Sequence, residues 1–595
     1  MNQNFDFQYR LEKSFTEVGY IFIEDEISNI KSKRAKWVKT YIINKEVNNR
    51  TCKIRLALSK DFPIEKPFYF LENLDDLPFM PHIEKEDSLI CYTFDDGLIL
   101  DYDLPINIIL ESLSLAIETI NNNMGKSRFK EFQKEFEINW SRLEDVSILH
   151  SYLDDRDTEY KQIEVLKTKS YIEQEVNILF DPQKHELSYL TKLYNLNLEL
   201  SEKFQAIFLP FRKNSNVPFP YRYEMWNFKE LKRIIYSNIS TSIKRKLNAL
   251  KVEEKGFYLI LSIPFNDQRI NISVFVKPNL KNEKKVVFNR IPNSAKLLPF
   301  SFIRLNSHFL LNRTQGNNNY EDYRVLVLGL GAVGSNIIGN LAKVGVKKFI
   351  LVDKDLILPE NSRRHYLGLH DILEGGVYKT KTSALEEYLV CNYPEINVVT
   401  YRKDVKEFFE EDLLGLNESF DLIVSALGSP TNELYLNELV YKKSLKVPVI
   451  YSWLDPLGIG SHVLITNNFS KRGCFRCLYT DNNDPNYLIN NRASFVNPTD
   501  KYQITMLGCH SEFTPYSYLD AQECSIYTTR IILKVLQKRI TGNQLFSIIG
   551  DDEQVRILGF EPSLRYKYIS QNTMKFQESS FFQNNCIICG EHNDI

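Results

Sequence analysis

The sequence predicts a multidomain α/β chain: an α+β unit at its N-terminus and a Rossmann-like sheet with helices on both faces toward its C-terminus. Three observations carry that prediction. First, 595 residues allow about three to four domains of roughly 150 residues each. Second, from Tyr323 onward the continuous apolar runs RVLVLGL, KFILVDKD, INVVTY, DLIVSAL and VPVIYSW are interleaved with helical runs. AVGSNIIGNLAKVG and TKTSALEEYLVCNY are two of these, and the alternation is that of a parallel sheet covered on both faces. Third, before residue 150 the order is different, with an amphipathic opening, three strand-like runs, and then helices.

Composition narrows the class further. Hydrophobic residues at 43% and charged residues at 25% exclude a disordered, collagen-like or disulfide-scaffold chain. A net charge of −2 argues against a dedicated nucleic-acid-binding protein, so no direct nucleic-acid partner is expected. No run approaches the ~20 apolar residues of a membrane span. The opening MNQNFDFQYRLEKSF has no apolar signal core, and the sequence therefore reads as cytoplasmic with no membrane association. Nine cysteines, an odd number, do not make a disulfide framework.

Taken in order, the strands of the first unit are WVKTYII (37–43), CKIRLAL (52–58) and PFYFLE (67–72). An irregular stretch, LDDLPFMPHIEKEDSLICYTFDDG, leads to the helix LPINIILESLSLAIETI (104–120), with Pro105 suited to its first turn. A second helical run, SRFKEFQKEFEINW, closes the unit near residue 150. In the middle third, FYLILSIPF and INISVFVKP read as strands. FKELKRIIYSNISTSIKRKLNALK reads as one basic helix with a solvated face rather than a nucleic-acid stripe. NRTQGNNNYED (312–322) reads as a linker. The divisions are thus 1–150, 151–315 and 316–595.

Gly329, Gly331 and Gly334 form GxGxxG between the strand RVLVL and a helix, where glycine permits a tight turn and the helix N-terminus offers N–H groups to phosphate. Asp353 follows at the end of the next strand, placed to hold ribose hydroxyls. NAD is the default ligand of such a loop, but VDKDLILPENSRRHYL turns the reading toward a triphosphate. It sets Asp355, Asn361, Arg363 and Arg364 close behind Asp353, and Lys381 opens the next helix. Guanidinium forks bind phosphate oxygens and offset charge on a leaving pyrophosphate. This ordered set over residues 325–595 resembles the ThiF-like activating enzymes of ubiquitin and ubiquitin-like proteins. The resemblance implies adenylation of a protein C-terminal carboxylate with ATP and Mg²⁺, with Gly329–Gly334 cradling ATP and Asp353 on the ribose. It places Asn361, Arg364 and Lys381 on the triphosphate, with Arg363 assisting. Where the family carries an Asp after the strand DLIVSAL, Gly428 and Ser429 stand here, and Asp355 or Glu433 are the substitutes.

Cys474-Phe-Arg-Cys477 and Cys586-Ile-Ile-Cys589 are two tight knuckles far apart in sequence. Four thiolates in this form suit a closed, structural Zn²⁺ shell, whereas a redox CxxC does not require a second distant pair. The ThiF-like family shares the arrangement.

Two further cysteines are candidate nucleophiles. Cys509 lies in MLGCHSEFTPYSYLDAQECS, with Thr514 read as a cap and Pro515 as the first turn of the next helix; Cys524 falls inside that helix and reads as core. In the first unit, Pro81-His82 precedes Cys91, and a helix follows. Helix, strands, proline-rich crossing, His, Cys, helix resembles ubiquitin-conjugating enzymes, although Ile83-Glu84 stand in place of the family's Asn. The whole chain resembles the fused conjugating and activating enzymes of bacterial CBASS anti-phage operons. That implies a thioester on Cys509, transfer to Cys91, and conjugation to amines of target proteins. The implied carboxylate is the C-terminus of a cGAS-like nucleotidyltransferase (CD-NTase) or another ubiquitin-like protein, and the implied assembly is a homodimer. On this reading residues 151–315 are a linker or a degenerate adenylation-like domain. The rivals are a sulfur-carrier adenylyltransferase, which leaves Cys91 unexplained; an NAD oxidoreductase, which leaves the arginines and CxxC pairs unexplained; and a non-catalytic scaffold.

Overall fold

A computed structural model describes the chain except residues 1, 18–19, 94–96, 126–127, 170–173, 184–189, 191–193, 195, 197–200, 267, 280–283, 316–319, 394, 417–419, 471, 481–490, 498–500, 506–511, 572 and 591–595. It divides into two compact units. One comprises residues 1–182 and 197–305, the other residues 183–196 and 306–595.

The first unit begins with helix α1 (Asn2–Glu17) and an antiparallel meander of β1 (Ile21–Glu24), β2 (Trp37–Val47), β3 (Arg50–Ser59) and β4 (Phe68–Leu71). Helix α2 (Pro105–Met124) lies on it. Ile109, Leu113, Ala116 and Ile120 recur at helical spacing and pack with Leu11 and Phe15 against Tyr41, Ile43, Ile54, Leu56 and Tyr69. The buried Tyr69 hydroxyl donates to the Ile109 carbonyl at 2.9 Å. SRFKEFQKEFEINW is not one helix but two, α3 (Arg128–Lys134) and α4 (Phe136–Trp140). The break falls at Glu135, whose carboxylate is held by His82.

The rest of this unit is a closed seven-stranded barrel. Its strands are β5 (Ser147–Ser151), β6 (Lys161–Lys169), β7 (Glu175–Phe180), β8 (Glu202–Pro210), β9 (Phe257–Phe265), β10 (Gln268–Lys277) and β11 (Lys296–Arg304). They run in the order β9-β10-β11-β5-β7-β6-β8, and parallel pairing of β8 with β9 closes the ring. Leu149, Val165, Leu179, Phe204, Ala206, Tyr258, Ile260 and Phe300 pack together in one of its cores. The basic run is two helices, α5 (Phe228–Asn238) and α6 (Thr241–Ala249), because the Ser240 side chain accepts the Ile243 N–H and starts a new helix. Its apolar face (Phe228, Leu231, Ile235) packs with Phe136 and Trp140 of α4.

The second unit is an eight-stranded sheet. In chain order it runs β12 (Arg324–Leu328), α7 (Ala332–Lys343), β13 (Lys348–Val352), α8 (Lys381–Asn392), β14 (Asn397–Tyr401), α9 (Val405–Glu411), β15 (Leu422–Ser425), α10 (Pro430–Lys442), β16 (Val449–Leu454), β17 (Gly460–Thr466), α11 (Tyr518–Leu536), β18 (Gln544–Ile549) and β19 (Lys575–Glu578). The sheet order is β14-β13-β12-β15-β16-β17-β18-β19. The first five are parallel, as their continuous apolar runs predict; the last three add antiparallel, which the sequence reading did not include. Both faces are covered. Val325 and Val327 face α7, α8 and α11, while Leu326 and Leu328 belong to the core under α9 and α10. The cap of α11 is Ser517, paired reciprocally with Asp520, and not Thr514. Among the described residues no helix is long and apolar enough to cross a membrane.

Candidate active sites and metal centre

The nucleotide loop is built by steric necessity. Gly329 has φ +84° and carries the chain from β12 past Ala426, whose carbonyl oxygen would stand 2.7 Å from an added Cβ. A Cβ on Gly334 would meet the Gly329 carbonyl oxygen at 2.0 Å, so the third glycine lets helix and loop close on each other. Gly331 differs, for a Cβ there meets nothing within 4 Å, and it precedes an α7 N-terminus with no side-chain cap. Phosphate can approach there.

The peptide between these glycines is pinned at both ends. The Leu330 N–H donates to Asp353 Oδ2 at 2.8 Å, and the Leu330 carbonyl accepts from His365 Nε2 at 3.0 Å. Buried His365, pushed down to about 4 by burial, is neutral and accepts the Leu367 N–H at Nδ1. The sequence reading omitted His365, and its position directly after Arg364 was the available signal.

Asp353, Asp355 and Lys381 converge at the end of β13. Lys381 Nζ lies 2.8 Å from Asp355 and 3.7 Å from Asp353. Asn361 Oδ1 accepts the Leu358 N–H and so shapes the turn that carries the arginines. Arg363 is exposed; Arg364 is half-buried, its guanidinium 4.9 Å from the centre of the Tyr516 ring. Of the two acids that substitute for the absent Asp, Glu433 is buried against Ser425 at 3.0 Å and pushed up to about 8 by burial. It faces the sheet in its acid form. Asp355 alone of the two reaches solvent, with a half-exposed side chain. The uncapped helix end, the open Gly331 and the cationic rim fit a nucleotide triphosphate, and Asp355 is the carboxylate that fits an accompanying Mg²⁺.

Cys474, Cys477, Cys586 and Cys589 meet although their knuckles stand 112 positions apart, with all four sulfurs within 4.8 Å of one another. Separations of 3.7 Å (Cys474–Cys586) and 3.4 Å (Cys477–Cys589) are near the ~3.8 Å edge that four Zn–S bonds of about 2.3 Å define. Three of the four are buried, and the Arg472 guanidinium stacks 4.0 Å from the Phe582 ring beside them. The cluster fits zinc with no position left for a substrate.

Cys91 opens on a cavity of about 640 Å³ lined by His82, Glu84, Glu131, Glu135, Arg34 and Arg142, among others. The Cys91 N–H donates to the His82 carbonyl at 2.8 Å, and its thiol donates to Glu84 Oε1 at 3.7 Å. Burial, then the Glu84 and Glu135 carboxylates, push the thiol up to about 11, against the opposing pull of Arg142. His82, at φ +59°, lies 2.7 Å from Glu135 through Nδ1 and 3.4 Å from Glu131 through Nε2. Burial works against the imidazolium, but these two carboxylates outweigh it and raise the pKa. The i, i+4 spacing of Glu131 and Glu135 marked a shared face; Arg34 and Arg142, from distant segments, gave no local signal.

Cys509 lies outside the described residues, but the flanks of its segment are anchored to one turn. The Phe495 N–H donates to Asp455 Oδ2 at 2.6 Å, and the Leu457 N–H donates to the Pro515 carbonyl at 2.9 Å. Cys524 is fully buried on α11 beside Ser452 and is core, as read.

Residues 306–509 match the ThiF family, and residues 5–149 match prokaryotic E2 family B. The chain is a fused E2-like and ThiF-like bacterial-type protein of α/β fold. Among curated proteins it is similar to the ATP-dependent ubiquitin transferase-like protein Cap2 of Pseudomonas aeruginosa strain BWHPSA011 / Pa011, with 23% identity over 293 residues, 48% of each chain. It is also similar to the adenylyltransferase and sulfurtransferase UBA4 of Saccharomyces cerevisiae strain YJM789, with 28% identity over 173 residues, 29% of this chain and 36% of that one. The chain therefore spans about half the length of the first relative and about a third of the second. The crystal structure of E. coli MccB with ATP aligns at TM-score 0.30 and 17% identity, covering 46% of this chain and 68% of that one.

Proposed function

We propose that this chain activates the C-terminal carboxylate of a partner protein with ATP and conjugates it to amines. The observation that carries the proposal is the presence in one chain of a triphosphate-fitting glycine loop and of an accessible cysteine set in a cavity of an E2-like region. The similarity to a relative named as an ATP-dependent ubiquitin transferase-like protein supports it.

In the first step the carboxylate oxygen attacks the α-phosphorus and pyrophosphate leaves. Gly329, Gly331 and Gly334 with the α7 N-terminus hold the phosphates, and Asp353 takes the ribose. Asn361 and Arg363 orient the triphosphate, and Arg364 and Lys381 offset the charge that grows on the leaving group. Asp355 would hold Mg²⁺, which screens phosphate charge. The Cys509 sulfur then attacks the acyl adenylate and AMP leaves, Cys91 receives the acyl group by thioester exchange that frees the Cys509 thiol, and an amine displaces the Cys91 thiol. The four-cysteine cluster would hold structural zinc.

Further elements of the proposal are a CD-NTase tail as the carboxylate, a homodimer, a cytoplasmic location, and domains at 1–150, 151–315 and 316–595, the middle one carrying six of the seven barrel strands and β5 lying across its first boundary. Similarity to UBA4 favours a second reading, a sulfur-carrier adenylyltransferase, which gives the Cys91 cavity no task.

The test is a non-reducing gel with a labelled CD-NTase as the carrier, ATP and Mg²⁺, alongside pyrophosphate exchange. Arg364→Ala and Lys381→Ala should each slow exchange about 10²–10³-fold. Cys509→Ala should exchange normally yet form no thioester, and Cys91→Ala should form one reducible thioester and stall. Loading of Cys91 in the Cys509→Ala chain, or normal conjugation by Cys91→Ala, would overturn the relay.

A further inference from the structure

We infer that Glu84 is a catalytic residue of the conjugation step, the carboxylate that carries the proton between the acceptor amine and the Cys91 sulfur. This rests on the reading of Cys91 as the conjugating cysteine and assigns the proton transfer that this chemistry requires.

Glu84 is the acid in contact with the sulfur. Cys91 Sγ donates to its Oε1 at 3.7 Å, an ordinary reach for a thiol donor. The carboxylate is held on two sides. Arg34 binds Oε2 and is itself tied to Asp87 at 2.7 Å, while Arg142 lies 3.4 Å from Oε1. Its side chain is only 14% exposed, yet it lines the same cavity as the sulfur. Apart from Arg34 and Arg142, which bind Glu84 itself, the other charged groups lining the cavity have different partners, and Lys66 donates to the Thr93 carbonyl at 3.0 Å. His82 lies between Glu131 and Glu135, and Lys134 pairs with Glu131. A thiol pushed up to about 11 is protonated at neutral pH, so attack by this sulfur and its later departure each require a proton to move.

The balance closes without any further reagent. In loading, the Cys91 sulfur attacks the incoming thioester carbonyl while its proton passes to Glu84. The departing thiolate takes up a proton, and Glu84 releases one to solvent. In discharge, the amine nitrogen attacks the Cys91 thioester, the C–N bond forms and the C–S bond breaks. The amine proton goes to Glu84 and from there to the leaving sulfur. Thioester and amine become amide and thiol.

The experiment uses the full chain and two probes. Iodoacetamide reports thiolate at the Cys91 peptide by mass spectrometry at one mildly alkaline pH. The mercaptoethanesulfonate thioester of acetylglycine loads the cysteine, and free lysine then discharges it, with Cys91→Ala as background. Glu84→Gln removes the neighbouring negative charge. It should therefore alkylate faster than wild type while its discharge to lysine falls about 10²-fold or more. Those opposite movements separate proton transfer from a bystander charge, which would speed both, and from a packing role, which would leave discharge unchanged; either result overturns the inference. Should the Gln variant not fold, Glu84→Asp keeps the charge but draws the oxygens back from the sulfur. It should alkylate like wild type and discharge more slowly; equal discharge overturns the inference. If wild type loads no better than Cys91→Ala, the reading of Cys91 fails instead.

Discussion

At the level of single residues, His82 shows how two carboxylates outweigh burial. Desolvation favours the neutral ring, but Glu135 at 2.7 Å and Glu131 at 3.4 Å raise its pKa above the ordinary value. Stability from a raised histidine is fully present below its unfolded pKa of about 6.5 and is lost as pH climbs through the folded value. Glu135 is the reverse case. Burial opposes its charge, but the His82 hydrogen bond lowers its pKa, so its contribution is lost as pH falls through that lowered value. The ion pair therefore stabilises most in the window between the two. His82→Gln should cost about 1–2 kcal/mol in that window, and the gap from wild type should close as pH rises. Urea unfolding across pH measures it, and a gap independent of pH would mean that His82 carries no charge.

The glycine loop is the element whose parts can be separated by substitution. Gly334→Ala drives a methyl into the Gly329 carbonyl and should cost about 1–3 kcal/mol, read as a lower melting temperature. Gly331→Ala meets no protein atom and should melt like wild type while raising the KM for ATP in pyrophosphate exchange. Equal melting of the two variants would contradict the packing described. This element was legible in the sequence because the turn itself demands glycine at Gly329 and Gly334. The antiparallel strands were not. β17 buries Ser461 and His462, which read as surface residues until their partners are known: His462 lies between Asp455 at 3.0 Å and Ser547 at 2.9 Å, the latter 85 positions away. The α11 cap was misplaced for a related reason, since Thr514 and Ser517 are both competent caps and only Asp520, three residues beyond Ser517, distinguishes them.

At the scale of the molecule, the four cysteines join chain segments that sequence alone leaves 112 positions apart. Purified protein should carry one zinc per chain by elemental analysis, and Cys586→Ser should release it and lower the melting temperature without stopping pyrophosphate exchange. Metal-free wild type with an unchanged melting curve would refute the site. Motif residues such as Asp353, Arg364 and Lys381 could be read because they fall within one short stretch, and the structure brings Asp353 and Lys381 to 3.7 Å. The Cys91 cavity was half legible, because Arg34 and Arg142 reach it from either end of the E2-like region. The barrel was least legible, since its ring depends on partners distant in the chain. That last feature sets the order of events during synthesis. β5 pairs in parallel with β11, Ser147 beside Phe300, and Trp140 donates its indole N–H to the Phe300 carbonyl at 3.0 Å. The ring cannot close until Arg304 has left the ribosome, so β5 waits with an open edge while the intervening strands and helices are made. Contacts of this long sequence separation are the slow ones in folding. The time at which this region becomes safe from wrong strand pairing is therefore set by β11, the last strand of the ring.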